Sequence, residues 1–212
     1  MLIDFLFPRR CYGCGRLGVY LCRNCQSTLV SQPVKIVDKN LFEGNLSLYK
    51  YNGIITNLIH DFKYNFVSDL SETISQLIAD ELKSSYPNIL NYWQNNKFTL
   101  IPIPLHPFRQ KWRGYNQSEL ICNHLSKQFK LNYSKNLLLR FVNTPPQAKN
   151  KSTKDKQANL ANVFYINESN PIPGKNFILV DDVATTFSTL KSARSTFGGD
   201  QDRKFWTLTI AD

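Results

Sequence analysis

The sequence predicts an α/β fold: a mostly parallel sheet flanked by helices, with a small four-cysteine zinc ribbon at its amino-terminal end. Three observations carry that expectation. Short apolar runs alternate with segments whose apolar residues recur at helical spacing, as in a parallel sheet built from strand–helix units. Phe177-Ile178-Leu179-Val180 reads as a buried strand, followed by two carboxylates and a hydroxyl-rich turn that enters a helical pattern. Cys11, Cys14, Cys22 and Cys25 form two C-x-x-C pairs joined by a short loop.

The expected boundaries are 1–31 for the ribbon and 32–212 for the α/β domain. Each C-x-x-C turn puts two thiolates on one metal, and two turns complete a tetrahedral zinc site with no open position. Such a site is structural, and a segment this short needs the metal to fold. The competing reading is a pair of redox disulfides or thioredoxin-like motifs, against which stand the likeness of the two pairs and the lack of an accompanying secretory segment. Arg16 and Arg23 make the ribbon basic, either as solvated surface or as a nucleic-acid contact. Cys122, within an apolar helical pattern, reads as a small buried hydrophobe.

Along the rest of the chain, Leu46–Tyr51 alternates as a half-buried strand does, and Ile54, Leu58 and Ile59 mark a short helix ahead of His60–Tyr64. Val67, Leu70, Ile74, Leu77, Ile78 and Leu82 mark a longer helix, with Asp69 and Glu72 spaced as a capping pair. Phe98–Leu105 is a strand whose prolines bar a full ladder beyond its first half. A polar loop is expected from His106 to Gln117, then a helix on Leu120, Ile121, Leu125 and Phe129 with Asn116 and Glu119 as cap partners. Leu137–Val142 and Asn162–Asn167 read as strands around Thr144–Leu160, a long polar segment that is functional or disordered. After the 177–180 strand, Gly198-Gly199 stops a helix, and Phe205–Ile210 is the final strand.

Two stretches carry chemistry. Asp181 and Asp182, at a strand end, can accept hydrogen bonds from sugar hydroxyls, directly or beside Mg²⁺. Backbone N–H groups and hydroxyls of the following turn, at Ala184, Thr185, Thr186, Ser188 and Thr189, can cradle a phosphate at a helix start. The bland alternative is an acidic turn that only caps a helix. In the second stretch, Leu105 to Gln117, Arg109 and Arg113 present paired donors suited to pyrophosphate, with Lys111 adding charge. Trp112 and Tyr115 offer faces for stacking a base, or anchors for a basic turn. His106 is either a general base or a structural residue among prolines.

The net charge of +10 calls for an anionic partner: nucleic acid, a polyphosphate or an acidic membrane surface. With 42% hydrophobic and 13% aromatic residues, the chain has enough for a packed core. No run approaches the ~18 apolar residues of a membrane span, and Met1–Pro8 is too short for a signal core. A cytoplasmic location is the default, with peripheral association at the inner membrane through a partner left open.

The element Val180-Asp181-Asp182-Val183-Ala184-Thr185-Thr186 resembles the ribose-5-phosphate signature of type I phosphoribosyltransferases, which use phosphoribosyl pyrophosphate (PRPP). One position departs: Phe187 stands where that signature usually has Gly. Four further segments accompany it. They are Leu6-Phe7-Pro8 before the cysteines, Ile59-His60 with Lys63-Tyr64, Pro104-Leu105-His106-Pro107 with Arg113-Gly114-Tyr115-Asn116-Gln117, and Thr144-Pro145-Pro146-Gln147 with Asn159. In this order, over nearly the full length, they resemble the ComF family of competence proteins, also called GntX-like. The resemblance implies a PRPP site of Lys63, Leu105, His106, Arg109, Arg113, Asp181, Asp182, Ala184, Thr185, Thr186, Phe187, Ser188 and Thr189. His106, Asp181 and Asp182 would be its catalytic candidates, and Mg²⁺ would accompany PRPP. It implies a hood over 144–160, where Lys156 and Gln157 replace a usual Arg. It also implies single-stranded DNA as a partner, met by Arg16, Arg23, Lys111, Trp112, Lys149, Lys151 and Lys154, and a DNA-uptake helicase or channel as a further partner. The alternative is an active phosphoribosyltransferase passing ribose-5-phosphate to a small nitrogen nucleophile.

Overall fold

The computed structural model describes residues 8–65, 67–141, 163–199 and 202–212. Its elements are α1 (Arg23–Gln26), β1 (Gly44–Tyr49), α2 (Gly53–Tyr64), α3 (Leu70–Ser85), α4 (Pro87–Asn95), β2 (Thr99–Pro102), α5 (Pro107–Arg113) and α6 (Gln117–Phe129). They continue with β3 (Asn132–Tyr133), β4 (Leu138–Arg140), β5 (Phe164–Ile166), β6 (Asn176–Val183), α7 (Ser188–Ser195) and β7 (Lys204–Ala211). Five strands form one sheet in the order β1-β7-β6-β2-β3, every pair parallel. The expected fold class, a parallel sheet flanked by helices with clustered amino-terminal cysteines, is the observed one.

The apolar run 177–180 occupies the middle strand because alternate residues are buried on both sides. Ile178 and Val180 join Leu46, Leu48, Leu100, Leu208 and Ile210 in a core covered by α2, α3, α4 and α6. Phe177 and Leu179 face the opposite core with Phe205, Phe197 and the α7 residues Leu190 and Ala193. Each such fully buried side chain contributes about 1.5–3 kcal/mol. β6 does not stop at Val180: its ladder with β7 continues through Asp181↔Thr209 to Val183↔Ala211, so the acid pair lies within the strand.

Several local expectations change. β1 is buried at all six positions instead of half-buried, because its polar face is closed by hydrogen bonds to β7. Asn45 Nδ2 donates to Thr207 Oγ1 at 3.0 Å, and the Ser47 and Thr209 hydroxyls meet at 2.8 Å. Bridges from Ser31 and Lys35 cover the strand's outer edge. α2 is longer than expected and carries Lys63 in its last turn. Asp69 makes no side-chain cap of α3 and instead meets Arg9 at 3.3 Å. The polar loop expected after His106 contains α5, which begins at Pro107 and ends at left-handed Gly114. Neither α4 nor β3 was anticipated, whereas β4 and β5 form a separate antiparallel ribbon near the expected strands. Residues 144–160 lie outside the described set. Among the described residues no helix is long and apolar enough to cross a membrane.

Gly44 shows how tightly β1 meets β7. A methyl built there would lie 2.3 Å from Trp206 Cζ3, and Trp206 is itself held edge-on to Trp93 at 5.6 Å. Gly44→Ala is therefore expected to lower stability by about 1–3 kcal/mol. Urea unfolding checks it, and an unchanged midpoint would contradict this packing.

Candidate functional site

A cavity of about 270 Å³ opens at the carboxyl ends of the central strands, where ligands sit in open α/β sheets. β6 supplies Asp181 and Asp182, α2 supplies Lys63, and α5 supplies Arg109 and Arg113, one helical turn apart. Leu105 and the turn Ala184 to Thr189 complete the wall. Twelve of the thirteen residues named for a PRPP site thus line one cavity. His106 is the exception: its Nδ1 accepts from the Phe108 N–H at 3.2 Å, capping α5.

Asp182 is buried, Asp181 is half-buried, and the pair is internally organised. Asp181 Oδ1 accepts from the Asp182 N–H at 2.9 Å and from the Ser118 hydroxyl at 3.3 Å. Lys63 Nζ meets Asp182 Oδ1 at 2.7 Å. Burial and the neighbouring Asp182 charge push the Asp181 carboxyl up to about 7, against the pull of Lys63 and those two donors. Burial alone would lower the Lys63 pKa, but Asp182 and Asp181 hold it above its ordinary value.

In the turn after β6, Phe187 adopts left-handed φ 54°, ψ 4°. That backbone costs a bulky residue about 1–2 kcal/mol. Burial of the ring, only 7% exposed beside Leu190 and Phe197, offsets it. The ring therefore packs into the core under the turn and leaves the cavity open. Above it the Thr186 and Ser188 hydroxyls meet at 2.7 Å, at the start of α7.

The same cavity is lined by a cluster of cations. Arg140, on β4, joins Arg109 and Arg113 there. Burial, then repulsion from Arg113, lowers the pKa of Arg109 from the ordinary guanidinium value, and burial, then repulsion from Arg109, lowers that of Arg140. Arg113 lies over the Tyr64 ring at 5.3 Å and donates to Gln117 Oε1 at 3.2 Å. Crowded guanidinium groups favour an anion, and paired carboxylates favour hydroxyls or a divalent cation. One cavity thus presents both characters.

The ribbon forms a second centre. The four cysteine sulfurs lie within 4.8 Å of one another. Cys14 and Cys22 are 3.7 Å apart, close to the ~3.8 Å edge of a tetrahedron with 2.3 Å zinc–sulfur bonds. The Cys22 N–H donates to Cys11 Sγ at 3.4 Å. Although burial raises the Cys11 thiol, backbone donors from Cys14, Cys22 and Gly13 bring it down to about 6. Gly13 must lack a side chain, since a methyl there would sit 2.5 Å from Cys25 Sγ. This donor set fits a structural zinc ion.

No family model matches the chain. Individual proteins do. It is 31% identical over 204 residues to "Competence protein F" of Haemophilus influenzae, spanning 95% of this chain and 84% of that protein. It is also 31% identical over 193 residues to "Competence protein ComFC" of Bacillus subtilis, spanning 86% and 69%. The chain belongs to the ComF family of competence proteins. A further relative is "DNA utilization protein YhgH" of Shigella flexneri, 29% identical over 140 residues, 64% of this chain and 57% of that one.

In this ComF-family member the cavity gathers residues from α2, α5, β4, β6 and the turn before α7. Lys111 and Trp112 lie on the exposed side of α5, with Trp112 51% exposed, and Arg16 and Arg23 are exposed on the ribbon. Lys149, Lys151 and Lys154 lie outside the described residues. Arg140 escaped sequence reasoning, as did Tyr64, which also lines the cavity. Nothing local marks Arg140; its place depends on how the β4–β5 ribbon sits beside the sheet.

Proposed function

We propose that this ComF-family protein binds Mg²⁺·PRPP in the cavity and single-stranded DNA on its basic surface, and so supports DNA uptake in natural transformation. The observation that carries this reading is the cavity's mixed chemistry: a carboxylate pair, three guanidinium groups and a hydroxyl-rich turn line one space. Asp181 and Asp182 would accept the ribose hydroxyls and hold Mg²⁺. The turn from Ala184 to Thr189 would receive the 5-phosphate, with Phe187 supplying the left-handed backbone. Arg109, Arg113 and Arg140 would take the pyrophosphate, whose charge the Mg²⁺ helps neutralise. Single-stranded DNA would meet Lys111, Trp112, Arg16, Arg23 and the lysines of 149–154, and a helicase or channel of the uptake machinery would deliver it.

Native-state ligands stabilise, so PRPP at about 100 times its Kd with Mg²⁺ should add about 2.7 kcal/mol and raise the melting temperature. No shift at saturating PRPP would overturn the PRPP reading. Oligonucleotide affinity should fall steeply between about 50 and 200 mM salt, because counterion release drives binding. A flat response would refute the electrostatic part. Asp181 favours a second reading, transfer of ribose-5-phosphate to a small nitrogen nucleophile, because a carboxyl titrating near neutrality suits proton transfer. Release of pyrophosphate from PRPP in the presence of ammonia or a base tests it.

A further inference from the structure

The ribbon and the cavity lie on opposite sides of one helix. Two points on α2 touch the ribbon. Ile54 packs under the first cysteine turn, where a methyl at Gly13 would meet its Cδ1 at 2.9 Å. Seven residues on, two turns and about 10 Å along the axis, Asp61 Oδ2 accepts from the Tyr12 hydroxyl at 2.6 Å. Tyr12 sits between the candidate zinc ligands Cys11 and Cys14. The other Asp61 oxygen takes Asn65 Nδ2 at 2.8 Å and meets His60 Nδ1 at 3.1 Å, which fixes the carboxylate. Lys63, two residues beyond Asp61 and so on the far face, reaches Asp182. Between them the Phe62 carbonyl, in the last turn, accepts from Tyr115 OH at 2.8 Å and Gln117 Nε2 at 2.9 Å. The turn that delivers the ammonium is therefore clamped on its backbone by Tyr115 and by Gln117 of α6, and on its side chain by the ribbon.

We propose that Asp61 is a positioning residue: through the Tyr12 hydroxyl it registers α2 against the metal ribbon and so holds Lys63 on Asp182, coupling zinc in the ribbon to ligand affinity in the cavity. The ligand's identity as PRPP rests on the function proposed above; the coupling itself does not. Loss of the ribbon's grip lets α2 slide, the ammonium leaves Asp182, and the acid pair loses the charge that offsets it. Coupling of this kind is reciprocal, so a bound cavity ligand also tightens zinc binding.

The test uses the full-length, zinc-loaded chain. Tyr12→Phe removes one hydroxyl and no cysteine, so zinc content should stay at the wild-type level. Mg²⁺·PRPP affinity should fall about fivefold or more. Added to Lys63→Met, Tyr12→Phe should cause no further loss, since both act through one ion pair. Unchanged affinity in Tyr12→Phe, or fully additive losses, would overturn the proposal. A second readout needs no PRPP. In equilibrium competition with a chelator, zinc should bind Lys63→Met about fivefold more weakly than the wild type, with Lys63→Gln serving where the Met variant does not fold. Equal zinc affinities would overturn the coupling. Weaker zinc binding by Lys63→Met, in a protein whose wild type ignores PRPP, would support the coupling while refuting PRPP as the ligand.

Discussion

Asp181→Asn is expected to raise the melting temperature at pH 8 and to weaken Mg²⁺·PRPP binding by about a hundredfold or more, the cost of about two charge-assisted contacts. Both effects follow from the burial of this carboxyl beside Asp182. Its folded-state pKa stands near 7, above the ordinary 3.8. Between those values the folded protein holds a proton that the unfolded chain has released. The stabilisation from that proton is complete below about pH 4 and lost as pH climbs through 7. Above pH 7 the folded protein carries a desolvated charge, which Asn removes. A ligand that needs the ionised form should bind the wild type about tenfold more weakly for each pH unit below 7. Subtracting the Asp181→Asn profile cancels the titration of the ligand's own phosphates. Adding Asp182→Asn should abolish binding while the two cores keep the sheet folded. Calorimetry of the variants against pH checks both halves, and a variant that is less stable at pH 8 would contradict the burial argument.

Cys11→Ser is expected to empty the ribbon of zinc and unfold it. Structural zinc in small peptides supplies an apparent 10–16 kcal/mol, roughly, more than so short a segment recovers from its own packing. Beyond the sulfurs, the ribbon is tied to the main domain by Tyr12 on Asp61 and Gln26 on Asp80 at 3.1 Å. Tyr20, Leu21 and Leu29 also pack against the large core. Unfolding exposes that apolar surface, so soluble yield should drop. Metal analysis with amide exchange across residues 9–29 reads the outcome. Full zinc occupancy with protected amides would rule out the four-thiolate centre.

The central strand and its acid pair were legible because their signal is local: a β-branched and apolar run ending in carboxylates and small hydroxyl residues. Asn116, capping α6 by accepting from the Ser118 N–H at 3.1 Å, was equally legible. Its expected partner Glu119 instead meets Lys135 at 2.6 Å. α5 stayed hidden because it buries nothing, so no apolar period marks it, although Pro107 at its start and Gly114 after its end are the residues that delimit a helix. α4 has only Leu90 and Trp93 buried, too few to show a period. The alternation of β1 was visible, but the pairing that buries its polar residues depends on β7, some 160 residues away. Arg140 and the Tyr12–Asp61 contact have the same origin, in tertiary placement that no local pattern encodes. Phe187 was read from sequence as a departure from Gly at a turn. Its ring resolves that departure by filling the core beneath a left-handed backbone.

Whether the cavity holds an activated pentose decides the function of this protein. Calorimetric titration of PRPP into the full chain, with and without Mg²⁺, measures that directly. Saturable, Mg²⁺-dependent binding at a single site, lost in the Asp181→Asn/Asp182→Asn chain, is the predicted result. No saturation at millimolar PRPP, or equal binding by the double variant, would contradict it.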